Sequence, residues 1–353
     1  MSSVVQAAGV AMVAAAATGW LVATIRRWAL RKALLDLPNS RSSHSRATPR
    51  LGGVAIALVL LCGLAILAMS PLASAQQRWA LLVLACTGAG VAIVSLLDDV
   101  RPLPAVVRLL VHLVGAVVTV ALVTPPGTLD GGVLGRVMLA GALAAVLMVL
   151  WIGWFINAFN FMDGIDGIAG GQAGTAGLGW AVLGLLTATP TLTIAGALLA
   201  GTSAGFLVHN WSPARIFMGD AGSATLGYLL ATVPWALGGE PLWIPSILLV
   251  WPFVFDALLT LCRRALRGER VWEAHRSHLY QRLVVRGGSH RATAMVYIAL
   301  AVLGLACAVT VLTGPVSLAR AMVFLVVLAG TGLAVVVTRV EARSGAVRVG
   351  SDA

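Results

Sequence analysis

Charged side chains are scarce in this chain. Asp, Glu, Lys and Arg supply 10% of its 353 residues, whereas apolar residues supply 59%. A soluble globular domain carries about 25% charged residues, so this composition excludes that class and predicts an integral membrane protein. Strand-like alternation of polar and apolar residues is absent as well, which disfavours a membrane β-barrel and favours an all-α, polytopic helical bundle.

Cysteines and long polar segments are also few. The four cysteines lie in or at the ends of apolar segments without CxxC spacing, so we interpret them as small hydrophobic residues. No polar segment is long enough to bury a core of its own. We therefore predict one transmembrane domain over residues 1–338 and a short cytoplasmic tail over residues 339–353, which we expect to be disordered.

Apolar segments of about 20 residues recur along the chain, and each can cross a hydrocarbon core of about 30 Å as a helix. Lys and Arg prefer the cytoplasmic side of short loops. Placing the N-terminus outside puts twenty of the 24 basic residues inside, so we expect a periplasmic N-terminus and a cytoplasmic C-terminus. The eleven predicted spans are residues 3–25, 51–69, 79–97, 105–123, 135–156, 168–187, 192–209, 221–238, 243–262, 292–313 and 320–338.

Five aspartates interrupt the apolar sequence. A carboxylate at the centre of a membrane helix costs about 2.5 to 3.5 kcal/mol, so such residues persist mainly in loops, cavities or functional sites. All five fall on the predicted cytoplasmic face, which indicates one shared site. The alternative for the second pair is a turn or a helix cap, because Asp-Gly is a common turn dipeptide. The aspartates are Asp98 and Asp99 in SLLDDVRPLP, Asp163 and Asp166 in NAFNFMDGIDGIAGG, and Asp220 in ARIFMGDAGSATLG.

Two basic loops, residues 26–50 and 263–291, share this face with the aspartate loops 98–104, 157–167 and 210–220. Mg²⁺ takes one or two carboxylates and fills its other positions with water and substrate phosphates. Arginine and histidine would hold the remaining charges of a diphosphate. The combination predicts phosphoryl transfer with Mg²⁺, or with Mn²⁺ in its place.

The adjacent pair Asp98 and Asp99 is expected to divide its work. Successive side chains on a helix point about 100° apart, so both carboxylates cannot easily bind one ion from a helix end. One is expected to serve the metal or a nucleophile while the other orients it.

Five motifs, in order, resemble those of the polyprenyl-phosphate N-acetylhexosamine-1-phosphate transferase superfamily. The resemblance covers nearly the whole chain, and five motifs in sequence are highly specific. They are HSRATPRLGG from His44 to Gly53, LLDD from Leu96 to Asp99, NFMDGIDGIAGG from Asn160 to Gly171, IFMGDAGSATLG from Ile216 to Gly227, and HRSHLYQRL from His275 to Leu283.

The resemblance implies roles for individual residues. In similar enzymes the residue that matches Asp220 binds Mg²⁺, and those that match Asp98 and Asp99 are essential. An aromatic residue at the position of Phe217 lies near the uracil. The loop that contains the matches to His275 and His278, here called the histidine loop, approaches the diphosphate and sugar. The predicted catalytic residues are Asp98, Asp99, Asp163, Asp166, His275 and His278, the metal ligands are Asp220 and Asp98, and the substrate-binding residues are His44, Arg46, Asn160, Asn210, Phe217 and Arg276.

Simpler roles remain open for the basic residues. His44 and Arg46 would also serve as positive-inside anchors. His275 and His278 would also suit a hydrated loop, and their spacing without a third ligand is weak evidence for zinc.

The reaction implied by the resemblance is transfer of a sugar 1-phosphate from a UDP-N-acetylhexosamine to undecaprenyl phosphate, with release of UMP, in the bacterial inner membrane. HRSHLYQRL lacks the consecutive histidines of the peptidoglycan branch, which argues against MurNAc-pentapeptide and favours the O-antigen branch. Direct attack and an aspartyl-phosphate intermediate both remain open. Membrane lipid and a second copy of the chain are expected partners, and nucleic acid is not.

Asp256 is the one acid placed well inside a predicted span, where it is expected to face an arginine or the cavity in a structural role. Pro245 and Pro252 should bend or break the same span, because each removes a backbone donor. The rival functions are a secondary transporter, which also uses buried acids and broken helices, and a structural scaffold.

Overall fold

The computed structural model describes residues 3–36, 47–123, 141–270 and 275–350. Almost all of these residues are helical. The helices are α1 Ser3–Arg31, α2 Gly53–Ala68, α3 Ala75–Val100, α4 Ala105–Val123, α5 Gly141–Met162, α6 Ile168–Leu186, α7 Pro190–Asn210, α8 Asp220–Gly238, α9 Trp243–Leu249, α10 Trp251–Leu266, α11 Leu279–Val285, α12 His290–Thr313 and α13 Val316–Gly350.

The helices confirm the predicted all-α, polytopic membrane fold. Seven are long and apolar enough to cross a membrane, and an eighth span results if the bent pair α9 and α10 is taken as one. Each of the eleven predicted spans coincides with one helix or with that pair, although residues 135–140 of the fifth lie outside the described residues. The count of eleven and the orientation of the chain stay predictions.

Two of the remaining predicted spans, α6 and α8, form the centre of the bundle. Every residue of α8 from Ala221 to Trp235 is buried, and α6 is buried along most of its length. A helix enclosed by other helices need not be as apolar as one that faces lipid, so glycine and threonine are tolerated there. The third, α2, has 16 residues and is shorter than a usual span.

The ninth predicted span is broken, as its prolines indicate. The axes of α9 and α10 differ by 78°. Pro252 lies in the first turn of α10, where a missing backbone N–H is tolerated. Gln172 of α6 donates a hydrogen bond of 2.8 Å to the carbonyl of Leu249 and so satisfies a backbone acceptor at the break.

The C-terminal helix extends beyond the last predicted span. Helix α13 continues to Gly350, whereas that span ends at residue 338. The predicted division into a transmembrane domain over residues 1–338 and a tail over residues 339–353 stays a prediction. The side chain of Glu341 forms an ion pair with Arg282 of α11, which attaches this end of α13 to the bundle.

The first motif is partly described. Two short antiparallel strands pair here, β1 Leu35–Asp36 before the motif and β2 Thr48–Pro49 within it, with Leu35 opposite Pro49. His44 and Arg46 lie outside the described residues, so their predicted substrate contacts stay predictions.

Candidate active site

Asp99 joins the end of α3 to the start of α8. Its Oδ1 accepts a hydrogen bond from the backbone N–H of Asp220 at 2.9 Å, and its Oδ2 accepts one from that of Ala221 at 3.0 Å. Both donors belong to the first turn of α8, where backbone N–H groups lack helical partners and the helix dipole favours negative charge. Asp99 therefore fixes the residue on which the predicted metal ligand Asp220 sits.

Gly219 allows this close approach. Its φ is +76°, and a Cβ atom built on it would lie 2.8 Å from Oδ2 of Asp99. Only glycine suits both the backbone conformation and the space. Gly219, the first glycine of the MGDAG sequence, thus leaves room for the carboxylate of Asp99 to accept these hydrogen bonds.

The first motif runs along the same loop. Gly52 and Gly53 donate backbone hydrogen bonds to the carbonyls of Phe217 at 2.9 Å and Met218 at 2.7 Å, and Phe217 donates to the carbonyl of Pro49 at 2.8 Å. Contact is so close that a Cβ atom on Gly53 would lie 2.3 Å from Cα of Gly222. The PRLGG and IFMGDAG sequences therefore form one unit, with Phe217 half-buried on it.

Asp98 points to a different partner from Asp99. Its Oδ1 accepts a hydrogen bond of 2.6 Å from the backbone N–H of Leu103, and its Oδ2 lies 2.6 Å from Nη1 of Arg108. The same Nη1 lies 3.3 Å from Oδ2 of Asp220. One guanidinium nitrogen thus bridges two carboxylates from different helices, and the adjacent acids Asp98 and Asp99 have different partners. Which of the two serves a metal or a nucleophile stays a prediction.

The carboxylates of Asp98 and Asp220 also suit a metal ion. They converge on one cationic nitrogen, and Mg²⁺ needs only one or two protein carboxylates. Among the described residues no group of three or more His, Cys, Asp or Glu side chains could hold a metal ion. The pair fits an ion that completes its coordination with substrate phosphates.

Asp163 brings unbalanced charge to this cluster. It follows Asn160, whose side chain is hydrogen-bonded to Asp220. Burial raises the pKa of Asp163 well above its usual range, and the negative charges of Asp220, Asp99 and Asp166 raise it further. The residues predicted to line one pocket therefore do lie together.

Asp166 is better compensated. Burial alone would raise its pKa, but a hydrogen bond from His290, one from the backbone N–H of Ala214 and the charge of His290 outweigh burial and hold the pKa below its usual range. The distance from Oδ1 of Asp166 to Nδ1 of His290 is 3.3 Å. This carboxylate therefore joins the second aspartate loop to α12.

Asn210 holds two motif loops together. Its Oδ1 accepts a hydrogen bond of 3.0 Å from the backbone N–H of Gly167, and its Nδ2 donates one of 2.9 Å to the carbonyl of Ile216. The residue is 4% exposed. Asn210 therefore supports the two loops beside the site, and its predicted substrate contact stays a prediction. The catalytic roles predicted for Asp99 and Asp166 stay predictions in the same way.

The histidine loop is anchored by Asp256, which is 1% exposed. Its carboxylate accepts hydrogen bonds from the backbone N–H groups of Leu279 at 2.9 Å and Tyr280 at 3.3 Å, and from the hydroxyl of Tyr297. Nδ1 of His278 lies 3.3 Å from Oδ1 of the same carboxylate. The hydroxyl of Thr260 also donates to this carboxylate, at 3.1 Å. These contacts agree with the predicted structural role of Asp256, which was expected to face an arginine or the cavity.

The same loop touches the second aspartate loop. The hydroxyl of Tyr280 donates a hydrogen bond of 2.8 Å to the carbonyl of Phe161. His275 and His278 have ring centroids 5.0 Å apart. Burial lowers the pKa of His275 to about 4, helped by the positive charges of His278 and Arg264, so His275 is neutral at pH 7. Arg276 beside it is half-buried.

Sequence reasoning left two site residues unassigned. Arg108 was an isolated cation inside a predicted span, and such a residue generally signals a buried acidic partner. His290 starts α12 directly after a basic loop, and nothing in its local sequence indicates that it reaches Asp166.

Gly219→Ala should weaken the protein, because the methyl group meets Asp99 and the residue must keep a positive φ. We expect the free energy of unfolding to fall by about 1 to 3 kcal/mol, with a larger loss of activity. Gly90→Ala in α3 is the control, since nothing lies within 4 Å of its Cβ position. Thermal unfolding in detergent measures both, and equal melting temperatures would contradict the contact.

Asp163→Asn and Asp166→Asn should change stability in opposite directions. A carboxyl with a raised folded-state pKa costs stability above its unfolded value of about 3.9, so removing the charge of Asp163 stabilises the protein at pH 8. A carboxyl with a lowered pKa contributes stability there, so Asp166→Asn destabilises. The Asp163 difference should shrink as the pH falls toward about 4, whereas the Asp166 difference should persist there and be lost only below about 3.9, as the pH falls through the lowered pKa of Asp166. Thermal unfolding with EDTA and without nucleotide tests this, and shifts of the same sign at pH 8 would refute it.

Comparison with known proteins points in one direction. A family model described as glycosyl transferase family 4 matches residues 80–237. A probable undecaprenyl-phosphate N-acetylglucosaminyl 1-phosphate transferase of Bacillus subtilis (strain 168) is 29% identical over 280 residues, covering 77% of this chain and 75% of that protein.

Further relatives differ in how much of the chain they match. A decaprenyl-phosphate N-acetylglucosaminephosphotransferase of Mycobacterium tuberculosis (strain CDC 1551 / Oshkosh) is 28% identical over 361 residues, covering 91% of this chain and 86% of that protein. A phospho-N-acetylmuramoyl-pentapeptide-transferase of Synechococcus sp. (strain JA-3-3Ab) is 52% identical over 63 residues, 18% of each chain. The transporter alternative finds no support in these similarities.

Proposed function

We propose that this chain transfers N-acetylglucosamine 1-phosphate from UDP-N-acetylglucosamine to undecaprenyl phosphate. Its residues 80–237 match glycosyl transferase family 4, and the relatives that match most of its length are named as polyprenyl-phosphate N-acetylglucosamine phosphotransferases. The reaction would take place at the cytoplasmic face of the bacterial inner membrane and would start a lipid-linked glycan of the O-antigen type. The relatives that match most of the chain act on N-acetylglucosamine, whereas the pentapeptide transferase matches a short segment.

The observation that carries the proposal is the convergence of Asp98, Arg108 and Asp220 from three helices at one point. Diphosphate chemistry requires positive charge next to carboxylates that hold a metal. Asp98 and Asp220 would hold Mg²⁺, which when bound would polarise and neutralise the diphosphate. Arg108 supplies a second positive charge at the same place.

In the proposed reaction an oxygen of the lipid phosphate attacks the sugar-linked phosphorus of the donor. A new P–O bond forms to that phosphorus while its bond to the bridging oxygen of UMP breaks, and UMP leaves with the bonding electrons. A phosphate monoester has a second pKa of about 6, so its attacking oxygen is already largely ionised at pH 7. The protein therefore has mainly to position the reactants and neutralise their charge.

Direct attack suits this site better than an aspartyl-phosphate. Both oxygens of Asp99 accept backbone hydrogen bonds. Those of Asp98 contact the N–H of Leu103 and the guanidinium of Arg108. A carboxylate nucleophile needs an oxygen that is free to approach phosphorus. We therefore expect no burst of UMP when the lipid is left out.

The test is an assay of the purified protein with undecaprenyl phosphate, Mg²⁺ and a panel of UDP-N-acetylglucosamine, UDP-N-acetylgalactosamine and UDP-MurNAc-pentapeptide. We expect UMP release together with sugar label in the organic phase, highest with UDP-N-acetylglucosamine and abolished by EDTA. Asp98→Asn and Asp220→Asn should each lower kcat/KM by about 100-fold or more.

Glu269→Gln provides the matched control, because it removes one negative charge from another inner loop. No UMP with any donor would refute the enzyme. Full activity of both aspartate variants would refute the site and favour a scaffold, and a UMP burst without lipid would favour the two-step route.

A further inference from the structure

The short helix α11 carries the histidine loop into the bundle. It has seven residues and begins directly after His278. The backbone N–H of Arg282 donates a hydrogen bond of 2.9 Å to the carbonyl of His278, so Arg282 lies one helical turn beyond the histidine. A helix this short is not stable alone, and its orientation depends on contacts with other elements.

Arg282 contacts the far end of the chain. Its Nε donates a hydrogen bond of 2.7 Å to Oε1 of Glu341, and its Nη2 donates to Oε2 of the same carboxylate and to Oγ1 of Thr338 at 3.4 Å. A guanidinium that faces a carboxylate with two parallel bonds fixes direction as well as distance. This ion pair ties α11 to α13.

Exposure distinguishes this pair from ordinary surface ion pairs. The side chain of Arg282 is 8% exposed and that of Glu341 is 24% exposed. A pair at this depth is only weakly screened by salt, and removing one partner leaves the other charge buried without compensation. The contact is therefore strong enough to determine how α11 lies.

Helix α11, which directly follows His278, is thus held by two different helices. Asp256 of α10 binds the backbone at Leu279 and Tyr280, whereas Glu341 of α13 binds the side chain one turn later. Glu341 lies beyond the last predicted membrane span, so crossing the bilayer does not require it.

We propose that Arg282 and Glu341 are positioning residues, through which α13 orients the histidine loop toward the diphosphate and sugar of the nucleotide donor. This inference rests on the proposed function. The C-terminal part of α13 then belongs to the donor site, although it contributes no residue that touches the donor.

The test compares Glu341→Gln with Glu269→Gln. Both changes remove one negative charge, but Glu269 pairs with Arg264 and Arg267. For Glu341→Gln we expect KM for UDP-N-acetylglucosamine to rise about tenfold, as the loss of ~1.4 kcal/mol of charge-assisted hydrogen bonding would produce. The kcat and the KM for undecaprenyl phosphate should stay near wild type, and Glu269→Gln should change none of the three.

Two more variants separate positioning from general damage. Arg282→Lys keeps the charge but not the parallel bonds, so it should resemble Glu341→Gln. The charge-reversed double variant R282E/E341R should recover most of the donor KM, whereas each single reversal should not. An unchanged donor KM in Glu341→Gln, or equal losses in both substrates' KM values, would overturn the proposal.

Hydrogen exchange gives a readout that needs no activity. Amides of residues 279–285 should exchange about tenfold faster in Glu341→Gln, while amides of α8 stay as in wild type. Unchanged exchange in α11 would overturn the ion pair as a positioning contact. If the wild type releases no UMP with any donor, the proposed function fails, and the exchange result still decides whether Glu341 orients α11.

Discussion

The candidate site depends on two hydrogen bonds that the carboxylate of Asp99 accepts from backbone N–H groups in the first turn of α8. They fix the backbone of Asp220, so the position of one predicted metal ligand is set by a residue 121 positions away in the chain. They also use both oxygens of Asp99, which leaves Asp98, turned to another side of α3, to meet Arg108. A two-residue acidic motif thus places one carboxylate against the start of α8 and the other against Arg108.

The negative charges of the site are compensated to different degrees. Asp98 and Asp220 share Arg108, and Asp166 has His290. Burial raises the pKa of Asp163 most, and the nearby charges of Asp220, Asp99 and Asp166 raise it further. A bound cation would lower the cost of ionising Asp163, because an opposite charge favours the ionised form of a carboxyl group.

The elements that sequence analysis predicted well are those with a local signal. Apolar length located the helices, and the prolines located the break before α10. Three aspartate loops were expected at one place because the basic residues put them on one face. Helices α6 and α8 are buried along most of their length, which agrees with the glycine and threonine residues that they contain.

Pairings between distant residues could not be read in the same way. Nothing near Asn210 indicates that its amide serves two loops, and Asp166 and His290 are 124 positions apart. Hydropathy also stops being informative at residue 339, where the chain turns polar although α13 continues, and it does not indicate that Glu341 in this segment pairs with Arg282. Periodicity reports which side of a helix is apolar, but it does not report which polar group on that helix meets which partner.

The reacting groups sit at the ends of separate helices, and no single segment contains them. Their arrangement therefore reports on how the helices pack against one another. A detergent or lipid that moves α3 and α8 apart by a few ångströms would abolish activity while every helix kept its secondary structure. Circular dichroism would then describe an intact protein, and only turnover would reveal that the assembly had loosened.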